Sequence, residues 1–332
     1  MLQNNYITLK RNIINTFDNK DLIIINNKKI SVCSRTFYNN LELRNELKKN
    51  CKNIKFNKTN KTLEGKNLVN FINDSEIAVI GLEKMDHKTL NQFPNLKIIV
   101  KYGVGLDKID LNFLKKKKIK FFHFPGFNKR SVSELALSFM LSISRKLIEL
   151  NSLIKNNDWN PVTGNNLSEK KIGIIGCGFI GKDLINLLKP FKCKIYINDI
   201  VNVNDCLVKK KIILKTKKEI FSECNFISIH IPYNKKNKNI INKKYLKLMK
   251  PDSSIINTSR GGIINEIDLY EVLKNNSIKS AYFDVLETEP PKKYYKLLKL
   301  NNFFISPHIG GSTKESILIG GKLCIKKINQ IK

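Results

Sequence analysis

Lys171-Ile172-Gly173-Ile174-Ile175-Gly176-Cys177-Gly178-Phe179-Ile180-Gly181-Lys182 is the stretch around which the rest of the chain can be organised. Lys171–Ile175 reads as a buried strand, and a glycine-rich turn follows it directly. Lys182–Lys189 then reads as a helix, and Cys193–Asn198 as a second strand that ends at Asp199. Glycines at 176, 178 and 181 between a strand and a helix form a dinucleotide fingerprint. Gly176 permits the tight turn, Gly178 lets a pyrophosphate approach the backbone, and Gly181 packs helix on strand. The N–H groups at the helix start, around Phe179 and Ile180, are placed to hold phosphate. Asp199 falls about 20 residues on, where a carboxylate accepts hydrogen bonds from ribose hydroxyls and repels a 2′-phosphate. The cofactor expected is therefore NAD rather than NADP.

Upstream, an α/β rhythm begins at Lys29. Ile30–Cys33, Ile54–Phe56, Ile77–Ile80 and Leu96–Val100 read as strands, with helices at Leu41–Asn50 and near Leu68–Ile72. The loop Tyr102-Gly103-Val104-Gly105 follows. Pro125-Gly126 punctuates the chain, and Ser131-Val132-Ser133-Glu134 has the spacing of a capping box, which predicts a helix from Ser131 to about Leu150. Asp158-Trp159-Asn160-Pro161 breaks it. Downstream of the fingerprint the strand–helix alternation continues to about Ile305. Two α/β halves, each a doubly wound parallel sheet of Rossmann type, are the architecture this pattern predicts.

The composition narrows the class. The 332 residues are enough for two cores, and 42% hydrophobic content excludes a disordered chain. No apolar run approaches the ~20 residues that cross a bilayer. The N-terminus carries no apolar signal segment, so no membrane partner is expected and the location expected is cytoplasmic. Seven cysteines are scattered without a C-x-x-C pair, in keeping with a reducing compartment and with no metal site. The net charge of +32 admits a nucleic-acid binder. The excess is nearly all Lys, however, and it travels with Asn and Ile as an A/T-rich coding sequence would make it. Runs such as Lys115–Lys118 and Lys209–Lys211 lack interleaved Arg and aromatics. Compositional drift is the expectation, and no specific nucleic acid is expected as a partner.

A hydride carrier implies a reacting centre. For a 2-keto acid that centre needs a cation for carboxylate and keto oxygen, a proton donor for the new alkoxide, and a carboxylate to orient that donor. Of four histidines, His87 and His123 read as loop or surface residues. His230 ends the apolar run Phe226–Ile229, and His308 stands in Ser306-Pro307-His308-Ile309-Gly310-Gly311 at the end of another strand. Both positions suit an open α/β sheet, and spacing alone leaves both in play. Arg260, after the run Ser254–Ile256, is either the cation or an ordinary surface arginine.

Residues from about 78 to 313 resemble the D-isomer-specific 2-hydroxyacid dehydrogenase family. The likeness rests on ordered motifs: Tyr102-Gly103-Val104-Gly105-Leu106-Asp107, Pro125-Gly126-Phe127-Asn128 through Glu134, Gly176–Gly181, His230-Ile231-Pro232, Thr258-Ser259-Arg260-Gly261, Asp284-Val285-Leu286-Glu287-Thr288-Glu289-Pro290 and Pro307-His308-Ile309-Gly310-Gly311. The resemblance implies that Arg260 binds substrate, that His308 is the acid/base, and that Glu289, the acid directly before the proline, bonds His308. It implies that the backbone of Gly103, Val104 and Gly105 takes the substrate carboxylate. It further implies that Asp284 holds the nicotinamide amide, and that His230, Thr258, Gly310 and Gly311 line the cofactor. A substrate domain of residues 1–125 plus 309–332, with 1–28 as an extension, would then carry an inserted NAD-binding domain of residues 126–308. A homodimer through the helix after Ser131 and the Trp159 turn is implied as well.

Tyr233-Asn234 stands where the family commonly has Leu-Thr, and Ser133 where Ala is usual. The substrate implied is a small anionic 2-hydroxy or 2-keto acid. Lys- and Asn-rich loops, with Lys101 beside the glycine loop, point to 3-phosphoglycerate or a relative. Glyoxylate, hydroxypyruvate and other D-2-hydroxy acids are the alternatives. An NAD-sensing, corepressor-like binding protein is the competing class, against which the complete Arg260, Glu289 and His308 set argues.

Overall fold

A computed structural model describes residues 27–201 and 212–331. Most of the N-terminal extension and the Lys209–Lys211 run lie outside the described residues. The chain divides into two compact units. The first holds the described residues up to Gly103, together with Asp110–His123 and the tail from Gly321. The second holds Val104–Ile109 and Phe124–Gly320.

The first unit is built on five parallel strands: β1 (Ile30–Val32), β2 (Ile54–Phe56), β3 (Ile77–Ile80), β4 (Ile98–Lys101) and β5 (Lys120–Phe122), in the order β2-β1-β3-β4-β5. Every residue of β1, β3 and β4 is buried, as parallel strands covered on both faces must be. The tail joins this unit through Cys324, Ile325 and Ile328, all buried. A Cβ on Gly321 would lie 2.2 Å from Leu43 Cδ1, so helix Lys314–Asn329 comes very close to helix Leu41–Asn50.

The second unit carries seven parallel strands: β6 (Lys171–Ile175), β7 (Lys194–Asn198), β8 (Ile212–Leu214), β9 (Phe226–Ile229), β10 (Ser254–Asn257), β11 (Ser280–Phe283) and β12 (Phe303–Ile305). Their order is β12-β11-β10-β9-β6-β7-β8. Alternate residues of a strand point to opposite faces, and the two apolar clusters follow that rule. Ile175, Ile227, Ile229, Ile255 and Phe283 lie in one cluster with Ile220, Phe221, Leu269 and Leu273 of helices Lys217–Glu223 and Glu266–Lys274. Ile172, Ile174, Ile195, Ile197 and Ile256 lie in the other with Phe139, Met140, Ile143, Leu184 and Leu188 of helices Lys129–Arg145 and Phe179–Leu188. Each such side chain contributes about 1.5–3 kcal/mol on burial. The strand order reverses between β6 and β9, and ligands of open α/β sheets bind beyond the carboxyl ends of the strands at that reversal.

Both predicted α/β halves are present, and several boundaries move. The contacts place Ile309–Gly320 with the second unit, whereas the resemblance implied a substrate domain that includes 309–332. The fingerprint helix begins at Phe179 rather than Lys182. The helix expected from Ser131 starts at Lys129, so Ser131 lies inside its first turn and caps nothing. Its hydroxyl pairs with Thr313 Oγ1 at 2.8 Å, and that of Ser133 donates to Asp183 Oδ2 at 2.5 Å. The helix stops at Arg145 because Lys146 is left-handed (φ 52°), and Leu147–Lys155 forms a separate helix. Among the described residues no helix is long and apolar enough to cross a membrane, and no acid, His or Cys cluster is suited to a metal.

Candidate active site

At the strand reversal of the second unit, Gly176 follows β6 and His230 follows β9. Gly176 has φ 95°, and a Cβ there would lie 2.7 Å from the His230 carbonyl carbon. Only glycine fits both the angle and the gap. Gly181 would collide with the Gly176 carbonyl oxygen if it had a side chain, which is the close packing expected of the third glycine. A Cβ on Gly178 would meet nothing within 4 Å, so the glycine there keeps open the space in front of the helix N-terminus. Phe179–Leu188 has no side-chain cap, and its first N–H groups, those of Phe179, Ile180 and Gly181, face that space with the positive end of the helix dipole.

Two further atoms mark the same edge. His230 Nδ1 and Thr258 Oγ1, after β9 and β10, are buried with no hydrogen-bond partner. Buried polar atoms are nearly always paired, so a polar ligand is the natural complement of this pair. Open glycine turn, uncapped helix start and two orphaned polar atoms together fit a dinucleotide. Burial lowers His230 to about 3, and its Nε2 lies 2.8 Å from Ser228 Oγ. His230 is thus neutral at physiological pH and is no proton donor for a reduction.

Asp199 closes β7 as expected. Its Oδ2 accepts from the Cys177 N–H at 2.6 Å and its Oδ1 from the Val201 N–H at 3.0 Å. The carboxylate therefore also shapes the glycine turn, a role spacing did not reveal. Asp199→Ala should weaken NADH binding roughly ten- to a hundredfold, the worth of a lost charge-assisted hydrogen bond, while narrowing the preference against NADPH. Fluorescence titrations with both cofactors check this. A wild type that prefers NADPH would refute the assignment of Asp199.

His308 and Glu289 meet. Nδ1 of His308 lies 2.7 Å from Glu289 Oε2. Burial pushes the Glu289 carboxyl up, but the His308 hydrogen bond and charge, the Leu286 N–H and the Arg260 charge together outweigh it and hold the group below its ordinary value. The carboxylate stays charged through neutrality, and both side chains remain partly exposed. Leu286 N–H donates to Glu289 Oε1 at 2.9 Å and so fixes the acid from its own loop. His308 sits at φ 54°, a left-handed angle that non-glycine residues rarely adopt and that collects at functional sites.

What holds that backbone is Asp284, which is 1% exposed. Its Oδ1 accepts from Ser306 Oγ (2.5 Å) and the Ile309 N–H (2.8 Å), and its Oδ2 from the Gly310 N–H (2.7 Å). The expectation gave Asp284 to the nicotinamide amide. In the structure the side chain also braces the turn that presents His308, since a buried polar group needs partners. Gly310 would bring a Cβ within 3.0 Å of Asp284 Oδ2, and Gly311 within 3.0 Å of Asn128 Nδ2. Both glycines serve this tight turn.

Arg260 follows β10. Its Nε donates to Asp107 Oδ1 at 3.0 Å and its Nη1 to the Ser259 carbonyl at 2.8 Å. Nη2 lies so close to Gly105 that a Cβ there would be 1.8 Å away. The guanidinium is pinned through Nε and Nη1, with Nη2 beside the Gly105 backbone. Sequence reasoning quoted Asp107 in a motif without giving it a role. Of the expected carboxylate loop, Val104 and Gly105 belong to this unit, and Gly103 (φ 139°) to the other.

Residues 137–310 match the family model of the D-isomer specific 2-hydroxyacid dehydrogenase NAD binding domain. The chain is 34% identical over 275 residues to a hydroxypyruvate reductase of Thermotoga maritima, covering 81% of this chain and 89% of that one. It is 31% identical over 268 residues to a D-3-phosphoglycerate dehydrogenase of Methanocaldococcus jannaschii, where it covers 80% of this chain and spans only about half, 51%, of the relative. The structure is similar to that of D-lactate dehydrogenase from Aquifex aeolicus complexed with NAD and lactic acid, with a TM-score of 0.80, 25% identity and coverage of 90% and 93%.

Proposed function

This chain belongs to the D-isomer-specific 2-hydroxyacid dehydrogenase family, whose members are NAD-dependent oxidoreductases acting on a CH–OH group, and we propose that it reduces hydroxypyruvate or glyoxylate to the corresponding hydroxy acid. The observation that carries the chemistry is the His308–Glu289 contact, 2.7 Å, on the same unit as the pinned Arg260. Bound NADH supplies the hydride. Arg260 Nη2 and the Gly105 backbone hold the substrate carboxylate, and the guanidinium draws charge onto the keto oxygen. His308 delivers the proton to that oxygen from Nε2, while Glu289 keeps the ring in one tautomer and offsets its positive charge. Oxidation runs the same steps in reverse, with neutral His308 taking the proton.

Lys101 bears on the substrate. It is the cation beside the glycine loop that pointed to a phosphorylated acid, but it is 5% exposed and its Nζ donates to the Gly81 carbonyl. Its Nζ also lies beside Gly103, 3.5 Å from where a Cβ would stand, and it is the higher identity to the hydroxypyruvate reductase, 34% against 31%, that favours an unphosphorylated acid. The second reading, 3-phosphoglycerate, draws on the similarity to the phosphoglycerate dehydrogenase. Initial rates of NADH loss with glyoxylate, hydroxypyruvate, pyruvate and phosphohydroxypyruvate decide between them. The highest kcat/KM with phosphohydroxypyruvate would overturn the choice made above, and no turnover on any acid would leave an NAD-sensing protein.

The six described cysteines are free thiols, in keeping with a cytoplasmic location. A two-fold dimer is also proposed, with a shifted surface. Helix Lys129–Arg145 spends much of its apolar face on its own unit's core, burying Phe139, Met140 and Ile143. Helix Leu147–Lys155 has no buried residue, and Leu147, Ile154 and Trp159 (83% exposed) leave apolar surface for a second copy. Light scattering at micromolar concentration should give twice the chain mass, and Leu147→Glu with Ile154→Glu should give a monomer. A wild-type monomer would refute the dimer.

A further inference from the structure

The Leu286–Glu289 segment carries the acid that orients His308, and its backbone is gripped from two sides. On one side Gly261, next to Arg260, lies so close that a Cβ would be 1.9 Å from the Leu286 carbonyl carbon. On the other, Glu266 Oε1 accepts the Glu287 N–H at 2.7 Å. Glu266 Oε2 accepts from the Tyr295 hydroxyl, so both carboxylate oxygens are engaged. Glu266 opens helix Glu266–Lys274, whose N-cap Asn265 accepts the N–H groups of Ile267 and Asp268. The carboxylate therefore projects from a rigid helix start that follows Arg260 by six positions.

We infer that Glu266 is a positioning residue for the reaction, fixing the Glu287 backbone and through it the Glu289 carboxylate against His308. The inference rests on the hydride-transfer reading above and adds to it a residue that touches none of the reacting groups. Together with the Gly261–Leu286 packing, the same grip ties the Arg260 loop to the Glu289 loop. Misplacing a reacting group by about an ångström costs on the order of a hundredfold in rate, so a contact that fixes the loop bearing Glu289 bears directly on the reaction.

The charges around Glu266 bear on its protonation. Glu287 and Glu289 face it from the 284–290 loop; Lys238 lies 3.2 Å from Glu287, and His308 and Arg260 act on Glu289. Tyr295 faces it from the following segment, and Asp268 on its own helix accepts the Lys243 N–H. Glu266 thus has two acids for neighbours and hydrogen-bond donors for partners. Burial, and then the charges of Glu287 and Glu289, lift its carboxyl to about 7 against the pull of the Glu287 N–H. A proton gained on one oxygen leaves the other to accept the Glu287 N–H, so the grip holds when Glu266 is neutral.

The test compares full-length wild type with Glu266→Ala, Glu266→Gln, Tyr295→Phe and Glu289→Gln, alone and combined. Glu266→Ala should lower kcat by roughly ten- to a hundredfold, with KM for the keto acid and NADH affinity changed by less than about threefold, because neither ligand touches Glu266. Glu266→Gln keeps an acceptor for the Glu287 N–H, as protonated Glu266 does, and should recover most of the rate. Adding Glu266→Ala to Glu289→Gln should cost little more than Glu289→Gln alone, since the first acts through the second. If Glu266→Ala fails to fold, Tyr295→Phe carries the same comparison. Wild-type kcat in Glu266→Ala, equal losses in the Ala and Gln variants, or multiplicative losses in the double variant would each overturn the assignment. Absence of turnover in wild type would instead remove the function on which it stands, with NADH binding still measurable.

Discussion

His308→Gln is expected to reduce 2-keto acids on the order of 10²–10⁴ times more slowly than wild type, because it removes the general acid and little else. Glutamine has similar reach and an N–H that can face Glu289, whose carboxylate lies 2.7 Å from Nδ1 in the native pair. It has no proton to give at neutral pH. The loss should fall on kcat, since Arg260 and the Gly105 backbone hold the ground-state carboxylate and the glycine turn holds the cofactor. The left-handed backbone at 308, φ 54°, suits glutamine no better and no worse than histidine. Asp284 anchors that turn through the Ile309 and Gly310 N–H groups, which the variant keeps, so NADH affinity and melting temperature should stay near wild type. A kcat within fivefold of wild type would show that another group delivers the proton. His230 is then the wrong place to look, since burial keeps it neutral.

Arg260→Lys should be nearly as severe, with kcat down on the order of 10²–10³, the usual cost of losing a donor at a developing oxyanion. The reason is geometric. Nε and Nη1 are spent on Asp107 Oδ1 and the Ser259 carbonyl, and only the planar fork leaves Nη2 fixed beside Gly105. An ammonium is a point charge on a flexible stem and serves Asp107 or the substrate, not both in the required plane. KM for the keto acid should rise as well, which separates this variant from His308→Gln. Asp107→Asn provides the internal control. It keeps the arginine but loosens one edge, and should fall between wild type and Arg260→Lys. A lysine variant retaining more than a tenth of wild-type kcat would mean that the guanidinium does not contact the reacting oxygen.

Some of this was legible in residue order alone. The buried runs Ile30–Val32, Ile77–Ile80, Lys171–Ile175 and Phe226–Ile229 form strands close to where their apolar pattern places them, because a short continuous apolar run is what a parallel strand covered on both faces requires. The glycine fingerprint was legible because steric demand is written into the residue type. Gly176 and Gly181 stand where any Cβ would strike backbone. The cofactor expected, NAD, is the one the matched family binds.

Position along the chain could not decide which polar groups meet. His230 and His308 each end an apolar strand, and spacing left both open. Burial made one neutral, and a contact 19 positions away in sequence gave the other its carboxylate. Asp284 is given to the nicotinamide by the resemblance, and only the fold shows that donors from Ser306, Ile309 and Gly310 also converge on it. Asp107 and Arg260 are 153 positions apart, and Glu266 and Tyr295 29. Sequence determines backbone periodicity and the places where only glycine fits, because those are local steric facts. Which charges are desolvated and which partners satisfy them depends on the carboxyl ends of separate strands converging, and only the tertiary structure decides that.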